Sequence, residues 1–382
     1  MIYLDNAATT KMDMKVFEAM LPWLFDRYGN PGSLHPLGRE AAEAVEYARS
    51  CVARIFSCEK DHIIFTAGGS EGNNLVIKGL VPYMKRNGRS KILISAIEHD
   101  SVIHAVEDVC VKHGFYYERI PVKSDGILDF DKFSELLSDD VGLVSVMTVN
   151  NELGNLVWSE NVAEECHKRG ILFHSDCVQA AYDYCLSCKD TSAPDFMTIS
   201  SHKIHGPKGV GAVYAKEKDQ LSAIISGGHD QEFGLRGGTE NVAGIVGFGK
   251  ACSLVMDGTE ERDPDVYGQI FLDEITSRLG EDAFVKNGSS EVEKTINVRF
   301  VGVDAQTLVL AAGSQGVCIS AGSACRSNET EASHVLKAIG LSDDEARECV
   351  RISFSRKNNE FEVREGARVL CECIEQLKGV SK

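Results

Sequence analysis

Between residues 38 and 254, short and nearly unbroken apolar runs alternate with segments whose apolar residues recur every three or four positions. That alternation constrains the fold most. Strands apolar on both faces must be covered on both, and helices crossing between parallel strands provide the cover. The runs are 62–67 (HIIFTA), 91–97 (KILISAI), 142–149 (GLVSVMTV), 171–175 (ILFHS) and 195–199 (DFMTI). Segment 38–57 shows the complementary pattern, with Ala41, Val45, Ala48, Val52 and Ile55 on one helical face. The expectation is an α/β chain with a mainly parallel sheet.

The chain has 382 residues, and at about 100–200 residues per domain two domains fit best. A charged stretch at 257–265 reads as the boundary. Beyond it 295–301 and 350–354 read as strands and 304–313 and 360–378 as helices, a smaller α+β domain that also takes in the extreme N-terminus. The expected division is therefore 13–256 for the large domain, and 1–12 with 257–382 for the small one.

With 57 acidic against 40 basic residues the net charge is −17, which repels phosphate backbones and anionic membranes and argues against a nucleic-acid role. No apolar run approaches the ~18 residues needed to span a bilayer, and residues 1–11 lack the layout of a secretory signal, so a cytoplasmic location is expected. The 13 cysteines are scattered, which argues against a disulfide framework; Cys110, Cys166 and Cys318 read as core. Cys185 and Cys188 form a Cys-x-x-Cys with no second pair at zinc spacing, and read as packing thiols rather than a metal or redox site.

In open α/β sheets ligands bind beyond the carboxyl ends of the strands, so the residues that follow each run belong together. After the first come Gly68, Gly69, Ser70 and Glu71 and a helical pattern. Glycines at a helix N-terminus can cradle an anion, although taken alone they are equally a structural turn. No Gly-Lys-Ser/Thr follows, so nucleoside triphosphate chemistry is not indicated. The later runs lead to Glu98 and His99, to Asn150, Asn151 and Glu152, to Asp176 and Gln179, and to Ser200, Ser201, His202 and Lys203. A lone His or Asp after a strand is ordinarily a cap; it is their convergence that indicates a site.

These parts suit pyridoxal phosphate, whose chemistry needs a lysine for a Schiff base, a carboxylate to keep the ring nitrogen protonated, a flat side chain on the ring and a helix N-terminus for the phosphate. Lys203, Asp176 and His99 are the candidates for the first three, and Gly69, Ser70, Ser200 and His202 for the phosphate. Lys208, in the turn 206–209, is the rival lysine.

The chain resembles the cysteine desulfurases of the NifS/IscS kind, within the aspartate-aminotransferase-like (fold type I) enzymes that use pyridoxal phosphate. The resemblance rests on YLDNAATT (3–10), YGNPGSLH (28–35), FTAGGSEGNN (65–74), the EH pair at 98–99, VNNELG (149–154), HSDCVQA (174–180), SSHKIHGPKG (200–209), RGGTEN (236–241) and SAGSACRS (320–327). It implies that Gln179 bonds the cofactor's phenolic oxygen, that Asn151 lies between cofactor and substrate, and that Arg351 clamps the substrate carboxylate. Thr239 would reach the phosphate in the other subunit, implying a homodimer. Cys325, in a glycine- and serine-rich loop over about 320–333, would take sulfur from L-cysteine as a persulfide, leaving L-alanine. Lys203, Cys325 and His99 would be catalytic.

The loop resembles the longer version of the iron–sulfur class, whose cysteine passes sulfur to an acceptor such as an iron–sulfur scaffold or a tRNA-thiolation enzyme. Three departures stand out: an extra residue around 229–230, Cys177 where alanine is usual, and Gly32-Ser33 for a serine pair. Rival readings are selenocysteine lyase or an aminotransferase on the same scaffold, the latter with no use for Cys325, and a catalytically silent sulfur-partner protein.

Overall fold

The structure, a computed structural model, describes residues 1–380 apart from 159, 182–185, 190, 191, 229, 259–264, 290–293 and 323–331. Strand β1 (Ile2–Tyr3) is followed by β2 (Ile63–Thr66), β3 (Lys91–Ser95), β4 (Tyr116–Ile120), β5 (Val141–Ser145), β6 (Leu172–Asp176), β7 (Phe196–Ser200) and β8 (Gly211–Ala215). All but β1 form a seven-stranded sheet in the order β2-β8-β7-β6-β5-β3-β4. Neighbours from β7 to β4 pair in parallel, whereas β8 is antiparallel to both β7 and β2. Two reversals restore the direction, so β2 runs with β7. The carboxyl ends of β2, β3, β5, β6 and β7 thus open on one edge.

Side chains alternate between the two faces. Ile63 and Phe65 pack with Val45, Val52 and Phe248 on one side, and Ile64 packs with Leu75, Val76 and Val106 on the other. All the expected runs form strands. The 142–149 strand ends at Ser145, but the ladder continues irregularly, Val146 and Thr148 donating to the His174 and Asp176 carbonyls at 3.1 and 3.0 Å.

Four further strands, β9 (Phe284–Asn287), β10 (Thr295–Phe300), β11 (Val317–Cys318) and β12 (Cys349–Ser353), lie beyond the charged stretch. An antiparallel sheet β12-β10-β9 shares a core with the helices Asp265–Leu279, Ala305–Ser314 and Glu360–Val380, to which Leu4 contributes. β1 pairs with β11 in parallel. Residues 10–13 cross to the first sheet, where Thr10 N and Asp13 N donate to the His202 and His205 carbonyls at 3.0 and 2.9 Å. Helix His334–Ala338 also returns to it, packing Val335 and Leu336 with Leu93 and Val144.

Cys166 is buried as expected, but Cys110 and Cys318 are only half-buried. Cys110 lies in the last turn of the helix Asp100–His113 and Cys318 ends a two-residue strand, so neither is enclosed on all sides. Cys325 and Cys185 lie outside the described residues. Among the described residues no helix is long and apolar enough to cross a membrane.

Candidate active site

The carboxyl edge of the large sheet encloses a cavity of about 190 Å³ that Arg351 of the smaller sheet also borders. Its lining includes Gly69, Ser70, His99, Asn151, Asp176 and Lys203, gathered from five strand ends. A larger cavity of about 520 Å³, behind Cys177, is mainly apolar and borders none of these groups.

β2 ends in a turn in which Gly68 takes φ +154°, and the helix Gly69–Gly79 begins with no side-chain cap. Its first backbone N–H groups therefore have no capping side chain as partner. A Cβ at Gly69 would come within 2.7 Å of Val178 Cγ2, so the close approach of this turn to β6 requires glycine there. The Ser200 hydroxyl, buried beside Gly68, has no hydrogen-bond partner among the described residues. A buried hydroxyl without a partner costs about 1–3 kcal/mol, which an acceptor in the cavity would recover. An uncapped helix start, an unpartnered hydroxyl and neutral His202 fit a phosphate. Burial, reinforced by Lys203 and Lys208, lowers His202 to about 4, which leaves it uncharged at neutral pH.

Asp176 is the last residue of β6 and is 5% exposed. Its Oδ2 accepts from Asn73 Nδ2 at 2.7 Å and its Oδ1 from Val178 N at 3.0 Å. Asn73 Nδ2 also donates to Ser101 Oγ at 2.9 Å, and Ser101 Oγ meets His99 Nδ1 at 2.8 Å. Because Ser101 N donates to His99 Nδ1, the imidazole proton is assigned to Nε2. His99 therefore caps the helix Asp100–His113 and also lines the cavity. Asn73 and Ser101, which the sequence did not single out, link the carboxylate to the imidazole.

Lys203 follows β7 in a single 3-10 turn, and Nζ donates to the Ala7 and Ala8 carbonyls at 2.5 and 3.1 Å. Gln179 Nε2 donates to the same Ala7 carbonyl at 2.9 Å. Lys208 is exposed and does not border the cavity, whereas Lys203 does. Glu98 is fully buried, accepts from Ser95 Oγ and Met147 N at 2.5 and 2.7 Å, and is pushed up to about 8 by burial.

Arg351 is 1% exposed on β12. Its Nη1 donates to the Asn151 carbonyl at 2.9 Å and its Nη2 to Asp5 Oδ1 at 2.8 Å, while Nε has no partner among the described residues. Backbone bonds tie Ser320 to Arg351 on one side of segment 323–331, and on the other Ser333 Oγ donates to Glu152 Oε2 at 2.6 Å. Thr239 is exposed and does not line this cavity. It follows a loop held by two ion pairs. Glu232, at φ 42°, takes Arg49 Nη1 and Nη2 at 2.7 and 2.8 Å, and Arg236 Nε meets Glu71 Oε1 at 3.0 Å. Cys177 is fully buried against Thr148 and fills space behind Asp176.

The model of the class-V aminotransferase family matches residues 2–365. A cysteine desulfurase IscS of Clostridium botulinum is 36% identical over 385 residues, spanning 100% of this chain and 96% of that protein. A cysteine desulfurase of Nostoc sp. is 36% identical over 388 residues, spanning 100% and 94%. A solved structure described as a NifS-like protein superposes with a TM-score of 0.89 at 30% identity, over 98% of this chain and 100% of that one. Another, described as SspA in complex with cysteine, gives 0.80 at 31% identity over 94% and 100%.

Proposed function

The chain belongs to the class-V aminotransferase family, and we propose that it is a cysteine desulfurase dependent on pyridoxal phosphate, converting L-cysteine to L-alanine with sulfur retained as a persulfide on Cys325. The observation that carries this reading is the convergence of Lys203, Asp176, His99 and Arg351 on one cavity whose uncapped helix start and unpartnered Ser200 hydroxyl suit a phosphate.

When bound, pyridoxal phosphate supplies an electron sink for charge developing at the substrate's α-carbon. Lys203 would anchor the cofactor covalently, and its amine, when free, would act as the base for the α-proton. Asp176, oriented by Asn73, would keep the ring nitrogen protonated, and His99 would offer a flat face with its proton on Nε2. Gly69, Ser70, Ser200 and His202 would hold the phosphate, Gln179 the phenolic oxygen, and Asn151 would stand beside the substrate. Arg351 binds the substrate carboxylate, and its unpartnered Nε leaves a donor for that purpose. The Cys325 thiolate attacks the substrate sulfur; an S–S bond forms as the C–S bond breaks, so L-cysteine and the enzyme thiol become L-alanine and an enzyme persulfide. The tether of Ser320 to Arg351 supports this, since the chain enters segment 323–331 beside the proposed carboxylate clamp.

We propose further that two copies associate, with Thr239 serving the other copy's phosphate. Phe25, Tyr28 and Leu34 are exposed (73%, 76% and 84%), apolar area that a second copy would cover. A cytoplasmic location, the division at 13–256, and an acceptor such as an iron–sulfur scaffold or tRNA-thiolation enzyme complete the reading. Cys325→Ala is expected to bind cofactor and L-cysteine with unchanged spectra yet release no alanine or sulfide; full turnover by this variant would overturn the assignment.

A further inference from the structure

The turn that follows β5 and its irregular continuation sends two consecutive residues to two different places. Asn151 lines the cavity and its carbonyl accepts from Arg351 Nη1 at 2.9 Å, whereas Glu152, which the proposed chemistry does not use, is 2% exposed and lies outside the cavity lining. The turn is held from within and without. Asn150 Oδ1 accepts from Glu152 N and Leu153 N, both at 2.9 Å, and Asn150 Nδ2 donates to the Ile97 carbonyl at 2.9 Å. Gly154 follows at φ +81°, where an added Cβ would lie 2.1 Å from the Thr295 carbonyl oxygen, so the turn is also seated against the smaller sheet. Glu152 Oε2 lies between the two ends of segment 323–331. Beyond the segment, Ser333 Oγ donates to it at 2.6 Å, an ordinary length for a hydroxyl on a carboxylate. The same Ser333 Oγ accepts from Val335 N and Leu336 N at 3.2 and 3.4 Å, and His334 Nε2 meets the Glu98 carbonyl at 2.9 Å. Before the segment, Gly322 takes φ +71°, and a Cβ built there would lie 3.8 Å from Glu152 Oε2. Ser320 exchanges backbone bonds with Arg351 at 2.7 and 3.1 Å, and its hydroxyl donates to the Gly322 carbonyl at 3.1 Å.

On the desulfurase reading above, we propose that Glu152 is a positioning residue for sulfur transfer: its carboxylate pins both roots of segment 323–331 to the turn that carries Asn151, and so keeps the Cys325 thiol within reach of the substrate sulfur. Cys325 is three residues from Gly322, so the two Cα atoms cannot lie more than about 11 Å apart, and a shift of the root is carried to the thiol. Removing the carboxylate takes the acceptor from Ser333 and the neighbouring oxygen from Gly322. The groups that line the cavity keep their places, since Glu152 is not among them. The deficit therefore falls on the step in which thiol meets substrate sulfur, lowering kcat while KM for L-cysteine holds.

The test compares Glu152→Ala and Glu152→Gln with the wild type, each as full-length holoprotein. Alanine formation over a range of L-cysteine concentrations should show kcat lowered about 10- to 100-fold in Glu152→Ala, with KM and cofactor absorbance unchanged. Glu152→Gln, whose amide oxygen can still accept from Ser333, should recover most of the loss. Hydrogen exchange read by mass spectrometry should rise about 10-fold or more in peptides covering 318–322 and 332–336 of Glu152→Ala, and not in the cradle helix 69–79. Ser333→Ala should reproduce the kcat defect, and adding Glu152→Ala to it should cost little more. Unchanged kcat in Glu152→Ala, a defect borne by KM or by lost cofactor, or unchanged exchange at both roots would overturn the proposal. A wild-type protein that forms no alanine would instead remove the desulfurase reading, and the exchange data would still decide whether Glu152 holds the roots.

Discussion

Replacing Arg351 by lysine keeps the charge and removes the fork. In the structure the guanidinium is fixed by two bonds, to the Asn151 carbonyl and to Asp5, and its Nε is buried without a partner among the described residues. Asp5 is only partly buried, its side chain 18% exposed, so a lysine that cannot reach it leaves a carboxylate water can still solvate. The main loss is then one of two charge-assisted bonds to the substrate carboxylate, about 1.5–3 kcal/mol. At 1.36 kcal/mol per decade that is a fall of about 10- to 150-fold in kcat/KM. Because the carboxylate is held alike before and during the chemical step, the loss should fall on KM with kcat nearly preserved. The assay measures alanine formed over a range of L-cysteine concentrations, with cofactor binding followed by absorbance on the same samples. An unchanged KM with a reduced kcat, or a loss of cofactor in proportion to activity, would refute the clamp.

Glu71 lies in the first turn of the cradle helix, where its carboxylate competes with a bound anion unless Arg236 neutralises it. Arg236→Gln is therefore expected to weaken pyridoxal phosphate binding by about 2- to 30-fold, and the double variant with Glu71→Gln to recover it, in a spectroscopic titration of the apoprotein. Equal weakening in the single and double variants would dismiss the electrostatic account. Glu98 is raised from an ordinary 4.5 to about 8, so over that range the folded state keeps a proton that the unfolded chain has released. Its contribution is complete at low pH and is lost as pH rises through about 8, a decline of order a few kcal/mol. Urea unfolding across that range should show a shallower decline for Glu98→Gln, and parallel slopes would contradict the assignment.

The sequence is most legible where one physical demand dominates. Runs such as KILIS and FMTIS are apolar on both faces because the sheet is covered on both, and their ends deliver His99 and Lys203 to the cavity. Two strands of the same sheet went unread. β4 is an edge strand with Tyr116, Glu118 and Arg119 exposed, so it carries no apolar run. β8 is buried throughout but starts with Gly211 and Ala212 just after a glycine-proline turn, and its reversal inside an otherwise parallel sheet has no local signature. Backbone acceptors were equally invisible, since the Ala7 and Ala8 carbonyls that hold Lys203 belong to residues of no chemical distinction. Asn73 and Ser101 sit inside amphipathic helices like any polar helical residue, and only the packing of those helices joins them to Asp176 and His99. Conformation at Glu232 and Phe233, both at left-handed φ, is likewise set by distant Arg49 and not by local residue type.

The most direct test of the central claim is the visible absorption spectrum of the protein reconstituted with pyridoxal phosphate, recorded before and after L-cysteine is added, with alanine measured in the same sample. A yellow Schiff-base band that shifts as alanine accumulates, and that Lys203→Ala fails to develop, is the predicted result. A band that forms normally in Lys203→Ala, or a wild-type band that L-cysteine shifts without any alanine appearing, would contradict it.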